Sequence, residues 1–320
     1  MVFAAVASAA ASPLPAFSLT KSPCMSDGLA KEHTQSAMVS LPSSHKWRMV
    51  IAYDGTKFAG WQYQQSPPTI QCLIEDALTR ATKLCRKELC LVGASRTDAG
   101  VHAWGQVAHF VTPFMFDSLD TLHAALNGLL PQEIRVREIS PVQPQFHARF
   151  STTSKTYHYK IYNHAIMDPF RCLFAYHTHN DRLGNPVKEI FCLDIVETVI
   201  NYAQCKQSTI SRKYTSKLHL QGAVLQLEVE GSGFLFRQVR NMVALLLQIG
   251  REALPADVVP QIISARDRKE LAKVALSAPP HGLCLMSVNY NSDILEPPQG
   301  CPPSSFGRTH SVSKCKLPFY

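Results

Sequence analysis

The sequence predicts an α+β protein built from two lobes of similar size. Both halves of the chain mix strand-like alternating runs with helix-like runs of period 3.6. The 320 residues are 46% hydrophobic and only 18% charged, enough apolar matter for a real core. That length fits one large domain or two modest ones.

The elements follow in order. "KWRMVIAYDG" (46–55) alternates like a strand and ends in an Asp-Gly turn. "TIQCLIEDALTRATKL" (69–84) carries apolar residues at 70, 73, 74, 77, 78, 81 and 84, one helix face, with Thr69 as its N-cap. "LCLVGAS" (89–95) and "GQVAHFVT" (105–112) read as strands, "LDTLHAALNGLL" (119–130) as a helix and "EIRVREIS" (133–140) as a strand. In the second half, "KTYHYKIYN" (155–163) alternates strongly and "LDIVETVINYAQ" (193–204) is helical. "AVLQLEVEG" (223–231) is a strand, and "FLFRQVRNMVALLLQIG" (234–250) is a long amphipathic helix stopped by Gly250. "LCLMSVNY" (283–290) is the last strand. The Pro- and Ser-rich stretch 291–320 reads as a disordered tail. The domain plan is a leader (1–45), a first lobe (46–150), a second lobe (151–290) and that tail.

The leader is rich in Ala and Ser and has no acid before Asp27. Pro13 and Pro15 break its apolar run too early for a membrane span. Acid-poor, Ser-rich leaders address organelles. With no Arg before Arg48, a plastid is the expected destination and a mitochondrion the alternative. The chain is basic, 32 Lys and Arg against 24 Asp and Glu, which suits a polyanionic partner. Ten scattered cysteines without a CxxC pair argue against a zinc cluster or a disulfide scaffold, and fit reduced thiols inside a cell.

One stretch concentrates unlike chemistries: "VGASRTDAGVHAWGQVAHF" (92–110) sets Arg96, Thr97 and Asp98 side by side between two strands, followed by small residues. A carboxylate in such a tight loop can be a nucleophile, a general base, a metal ligand or a turn residue bonded to its own backbone. Other acids do not cluster near it, which disfavours a metal. Elsewhere, Arg237 and Arg240 stand three apart on one helix face, where arginine usually meets a carboxylate or phosphate. Tyr157 and Tyr159 share a strand face beside Lys160, a combination that stacks bases or simply packs.

The run RTDAGVHA (96–103) resembles the signature of the TruA-type tRNA pseudouridine synthases. "YDGTKFAGWQYQ", "FHARFSTTSKTYHYKIYN", "GFLFRQVRNMVALLLQIG" and "APPHGLCLMSVNY" resemble further stretches of that family, in its order, over roughly residues 47 to 290. The resemblance implies two α/β lobes around an antiparallel-rich central sheet, a positively charged cleft for RNA, and a homodimer. It implies isomerisation of uridine in tRNA, often in the anticodon arm, without cofactor, metal or membrane. It places the catalytic aspartate on Asp98, the tyrosine that stacks on the target base on Tyr157, and the arginine that pairs with the carboxylate on Arg240. Arg96 assists base flipping, and Arg237 and His102 join the RNA-contacting set. Position 95 is Ser where many relatives have Gly. A larger departure is "CKQSTISRKYTSKLHLQG" (205–222), shorter than the family's Gly-x-His-Asp-Phe-x-x-Phe stretch, which no part of the chain contains. Loss of a strand there would leave a bare edge and favour the alternative, an RNA-binding protein without activity. A third reading, a small-molecule carboxylate enzyme, lacks a nucleotide-cofactor loop.

Overall fold

A computed structural model describes residues 44–178, 214–265 and 276–307. The leader up to 43, the helix expected at 193–204 and residues 308–320 lie outside the described residues. The first half contains β1 (His45–Tyr53), α1 (Ile70–Thr82), α2 (Arg86–Leu89), β2 (Val92–Gly93), β3 (His102–Thr112), α3 (Leu119–Leu129) and β4 (Ile134–Pro141). The second contains β5 (Thr152–Asn163), β6 (Tyr176–Thr178), β7 (Tyr214–Gln221), β8 (Val224–Gly231), α4 (Gln238–Gly250), α5 (Val258–Ala265) and β9 (Leu283–Tyr290), then α6 (Ser292–Leu295).

One mixed sheet runs through both halves in the order β4-β1-β3-β9-β5-β8-β7, with β2 beside β3 and β6 beside β5. Along β1 every second residue is buried, so Trp47, Met49, Ile51 and Tyr53 enter the core together. The halves meet where β3 pairs β9 in parallel through His102 with Cys284 and Ala103 with Leu285. The other pairings along that path are antiparallel. Thr69 caps α1 as expected, its hydroxyl accepting from the Cys72 N–H. Among the described residues no helix is long and apolar enough to cross a membrane.

Four expectations change. The strand expected at 89–95 shrinks to two residues, because Cys90 turns left-handed (φ 45°) to end α2. The helix expected from 234 starts at Gln238, because Arg237 holds a left-handed backbone (φ 56°) and α4 is buried on nearly every side. The described part of the departing stretch, 214–222, supplies a strand: β7 pairs with β8 from Tyr214–Gly231 to Gln221–Val224. Residues 291–307 of the expected disordered tail are placed. Ser305 forms a two-bond bridge with Ile139 on the outer edge of β4, and its buried hydroxyl bonds Asp120 and His123. The free backbone groups of an edge strand attract such a segment whatever its composition.

His109, buried on β3, makes the fold sensitive to acid. Its Nδ1 accepts from the Ala148 N–H at 3.1 Å, which requires a lone pair there. Burial pushes its pKa down to about 4, and His147 and Lys46 add to the effect. A folded pKa below the unfolded value means stability is complete above about pH 6.5 and lost as pH falls through 4. The loss is on the order of 3 kcal/mol. Urea midpoints measured from pH 7 to 4 are expected to show it, and His109→Gln, which keeps an acceptor, should flatten the slope.

Candidate active site

The loop carrying Asp98 rests on a floor made by residues 53–61. The Thr97 hydroxyl meets the Tyr53 hydroxyl at 2.7 Å, and the Trp61 N–H donates to the Thr97 carbonyl at 3.0 Å. Gly60 makes that approach possible: its φ is +94°, and a Cβ there would stand 2.6 Å from the Thr97 carbonyl oxygen. Gln106, buried on β3, clamps the other side of the loop. Its Oε1 accepts from the Ser95 N–H and its Nε2 donates to the Ser95 carbonyl. Lys155 of β5 donates to the Ala94 carbonyl at 2.7 Å. The loop is therefore fixed from both halves of the sheet.

Above this floor lies a cavity of about 370 Å³. Three segments line it: the motif loop from Ala94 to Asp98, β5 with Lys155 and Tyr157, and the start of α4 from Phe234 to Arg240. Arg149 joins them at the rim. Arg240 Nη1 donates to Asp98 Oδ2 at 3.0 Å, and Arg237 Nε stands 4.0 Å from the same oxygen. The Arg240 side chain is 9% exposed, that of Asp98 19% and that of Arg237 45%, so the strongest pair is the driest. Arg240 is also tied by Nε to the Ala278 carbonyl at 2.6 Å, and its own carbonyl accepts from the Ala278 N–H. Next in the chain, the Pro279 carbonyl accepts from the Tyr159 hydroxyl at 2.8 Å. Tyr159 therefore holds the segment that holds the arginine.

Tyr157 sits where the register of β5 against β9 shifts, between Thr156 and Tyr157. Irregularities of this kind re-aim side chains at functional sites. Its hydroxyl lies 2.6 Å from Ser95 Oγ and its ring meets Phe234 edge-on at 5.2 Å. Burial pushes the phenol up to about 12, against the opposite pull of the Ser95 hydrogen bond. Ser95→Ala removes that partner. The phenol is expected to titrate higher still, and turnover to fall about tenfold at unchanged substrate affinity, the size of one lost hydrogen bond. Carbon-13 NMR of ring-labelled tyrosine and single-turnover rates check the two halves; an unmoved phenol would make Ser95 a bystander.

The structure brings Asp98, Arg237, Arg240, Tyr157 and the exposed Arg96 to one cavity. It does not bring His102. That ring is 4% exposed, with Nδ1 accepting from the Gly55 N–H and Nε2 donating to the His281 carbonyl. Burial lowers its pKa, against Asp54. His102 is a brace at the β3–β9 junction and leaves the RNA-contacting set. Sequence reasoning missed Ser95, Arg149, Lys155 and Gln238, whose roles depend on partners far away in the chain. Among the described residues no group of three His, Cys, Asp or Glu side chains is placed to hold a metal ion.

A family model described as tRNA pseudouridine synthase matches residues 49–151 and 178–291 of this chain. The tRNA pseudouridine synthase A 1 of Protochlamydia amoebophila is 37% identical over 256 residues, spanning 78% of this chain and 98% of that protein. The tRNA pseudouridine synthase A of Lactiplantibacillus plantarum is 32% identical, over 78% of this chain and 97% of its own length. That of Chlamydia pneumoniae is 34% identical, over 77% and 92%.

Proposed function

Because this chain belongs to the tRNA pseudouridine synthase family and is an isomerase that turns uridine in tRNA into pseudouridine, we propose that Asp98, Arg240 and Tyr157 carry that reaction in the cavity above the sheet. The observation that supports this most is the convergence of Arg240 and Arg237 on one oxygen of Asp98, from a helix 142 residues away in sequence. Isomerisation breaks the N1–C1′ glycosidic bond, turns the base and joins C5 to C1′. A carboxylate held by two guanidinium groups can attack carbon or take a proton without moving far. Tyr157 presents an aromatic face at the wall of the cavity, and its neutral phenol is available near the base. Attack at C6 and elimination through a glycal both use the same aspartate.

A stacked base must first leave the RNA helix, at a cost of a few kcal/mol. We assign Arg96 to that step and Arg237 to the RNA backbone. The cleft is read as positive from Arg96, Arg149, Lys155 and Arg237 along its lining. Two exposed aromatics next to these cations, Phe150 and Phe236, suit stacking of unpaired nucleotides. An unpaired target is most accessible in the anticodon stem-loop, which is the proposed site of modification. The strand that 214–221 adds to the sheet supports the active enzyme over an inactive RNA-binding protein. Mapping pseudouridine on unmodified tRNAs treated with the purified protein tests the reading; modification confined to other arms would overturn the anticodon assignment.

Two further parts of the reading concern assembly and address. A homodimer agrees with the exposed apolar side chains Ile166, Phe170 and Leu173 in one short stretch; a monomer by light scattering at micromolar concentration would reject it. A plastid address rests on the composition of residues 1–45, and a reporter fused to them that stays in the cytosol or enters mitochondria would reject it.

A further inference from the structure

Gln238 carries a donor that the fold does not use. Its side chain is 9% exposed and lines the cavity, in the same turn as Arg237 and Arg240. The Leu235 N–H donates to its Oε1 at 2.7 Å, and the Gln238 N–H donates back to the Leu235 carbonyl at 3.1 Å. Because an N–H can only be met by the oxygen, this reciprocal pair fixes which end of the amide faces inward. The other end, Nε2, is buried and is the only such side-chain nitrogen or oxygen without a hydrogen-bond partner among the described residues. A buried donor left unmet costs about 1–3 kcal/mol, and proteins keep such groups mainly where a ligand satisfies them.

From this we infer that Gln238 is a substrate-reading residue, whose amide donates to a ring carbonyl of the target uracil. The inference rests on the functional reading above. Uracil offers two carbonyl oxygens, on C2 and C4, flanking N3. Turning the freed base by half a revolution about the line through N3 and C6 brings C5 to the place of N1. The same turn brings the C4 carbonyl to the place of the C2 carbonyl. One fixed donor therefore serves the C2 oxygen before the turn and the C4 oxygen after it, and both ends of the reaction are held alike. Cytosine, with an amino group on C4, offers the donor nothing in the second orientation.

The test is a cycle between protein and substrate, using full-length protein and tRNA carrying uridine or 2-thiouridine at the mapped position. Sulfur is a weak acceptor, so the wild type is expected to react about tenfold more slowly with the thio substrate, the size of one hydrogen bond. Gln238→Met is expected to lose about as much with uridine and to show no further loss with 2-thiouridine, at unchanged tRNA affinity. Gln238→Glu keeps the oxygen that accepts from the Leu235 N–H and replaces the donor with a second, charged acceptor oxygen; if the methionine variant does not fold, the cycle is read from its uridine-to-2-thiouridine rate ratio, because the added charge acts on both substrates alike. Wild-type rates in either variant, or a thio effect that persists in full, would overturn the role of Gln238 alone. A wild type that forms no pseudouridine in any tRNA would overturn the reading on which it rests.

Discussion

Asp98→Ala is expected to lower pseudouridine formation at least about a thousandfold while leaving tRNA binding intact. Among the described residues the carboxylate is the one acidic group lining the cavity, and two arginines hold its position. Its removal takes away the one carboxylate among the described lining residues, and the Tyr157 phenol, held up near 12, does not replace it as a base at neutral pH. Binding survives, since the cationic lining gains net positive charge. Single-turnover rates and filter binding on the same tRNA separate the two effects. Asp98→Asn should behave the same way, because shape without charge does not restore chemistry. Retained turnover in either variant would remove Asp98 from the mechanism.

Arg240→Met should damage both chemistry and fold. It leaves Asp98 with Arg237 alone, 4.0 Å away, and strips the Ala278 carbonyl of its donor. Breaking a buried pair by removing one partner typically costs about 3–5 kcal/mol. Turnover is expected to drop about a hundredfold or more, because the carboxylate loses its orientation. Arg240→Lys should rescue little: one ammonium cannot reproduce a fork that meets Ala278 with one nitrogen and Asp98 with another. Urea unfolding and turnover of the single and double Asp98 and Arg240 variants check this. Losses smaller in the double variant than the sum of the singles are expected; full additivity would mean the pair does not act as a unit.

Much of the fold was legible because its signals are local. The alternation of β1, β5 and β8 and the apolar face of α1 are written in consecutive residues. The strand β7 was not, because "YTSKLHLQ" alternates among mostly polar residues at the sheet's outer edge, where little burial is needed. Residues 291–307 were misjudged for the opposite reason: their proline and serine content resembles disorder, yet Ser305 meets the buried His123 and the exposed Asp120, partners that no local pattern announces. In the site, the two arginines stood out through their spacing of three, while the roles of Asp98 and Arg240 came from the resemblance. Ser95 passed as a minor substitution because its partner, Tyr157, lies 62 residues away. His102 was misread because a histidine in a signature looks functional, whereas two backbone groups claim both its nitrogens.

The position of β9 has a further consequence during synthesis. Among the described residues this strand follows every other strand in sequence, yet it lies in the middle of the sheet, between β3 and β5. Once residue 282 has been made, every described side chain that lines the cavity except Leu283 has been synthesised. The emerging polypeptide then holds two separate sheets, each with an open border awaiting the same missing partner. Such borders are where nascent chains stick to one another. Enzymatic competence therefore waits for β9. A message cut short before β9 would yield a protein with its catalytic alphabet intact and no word spelled.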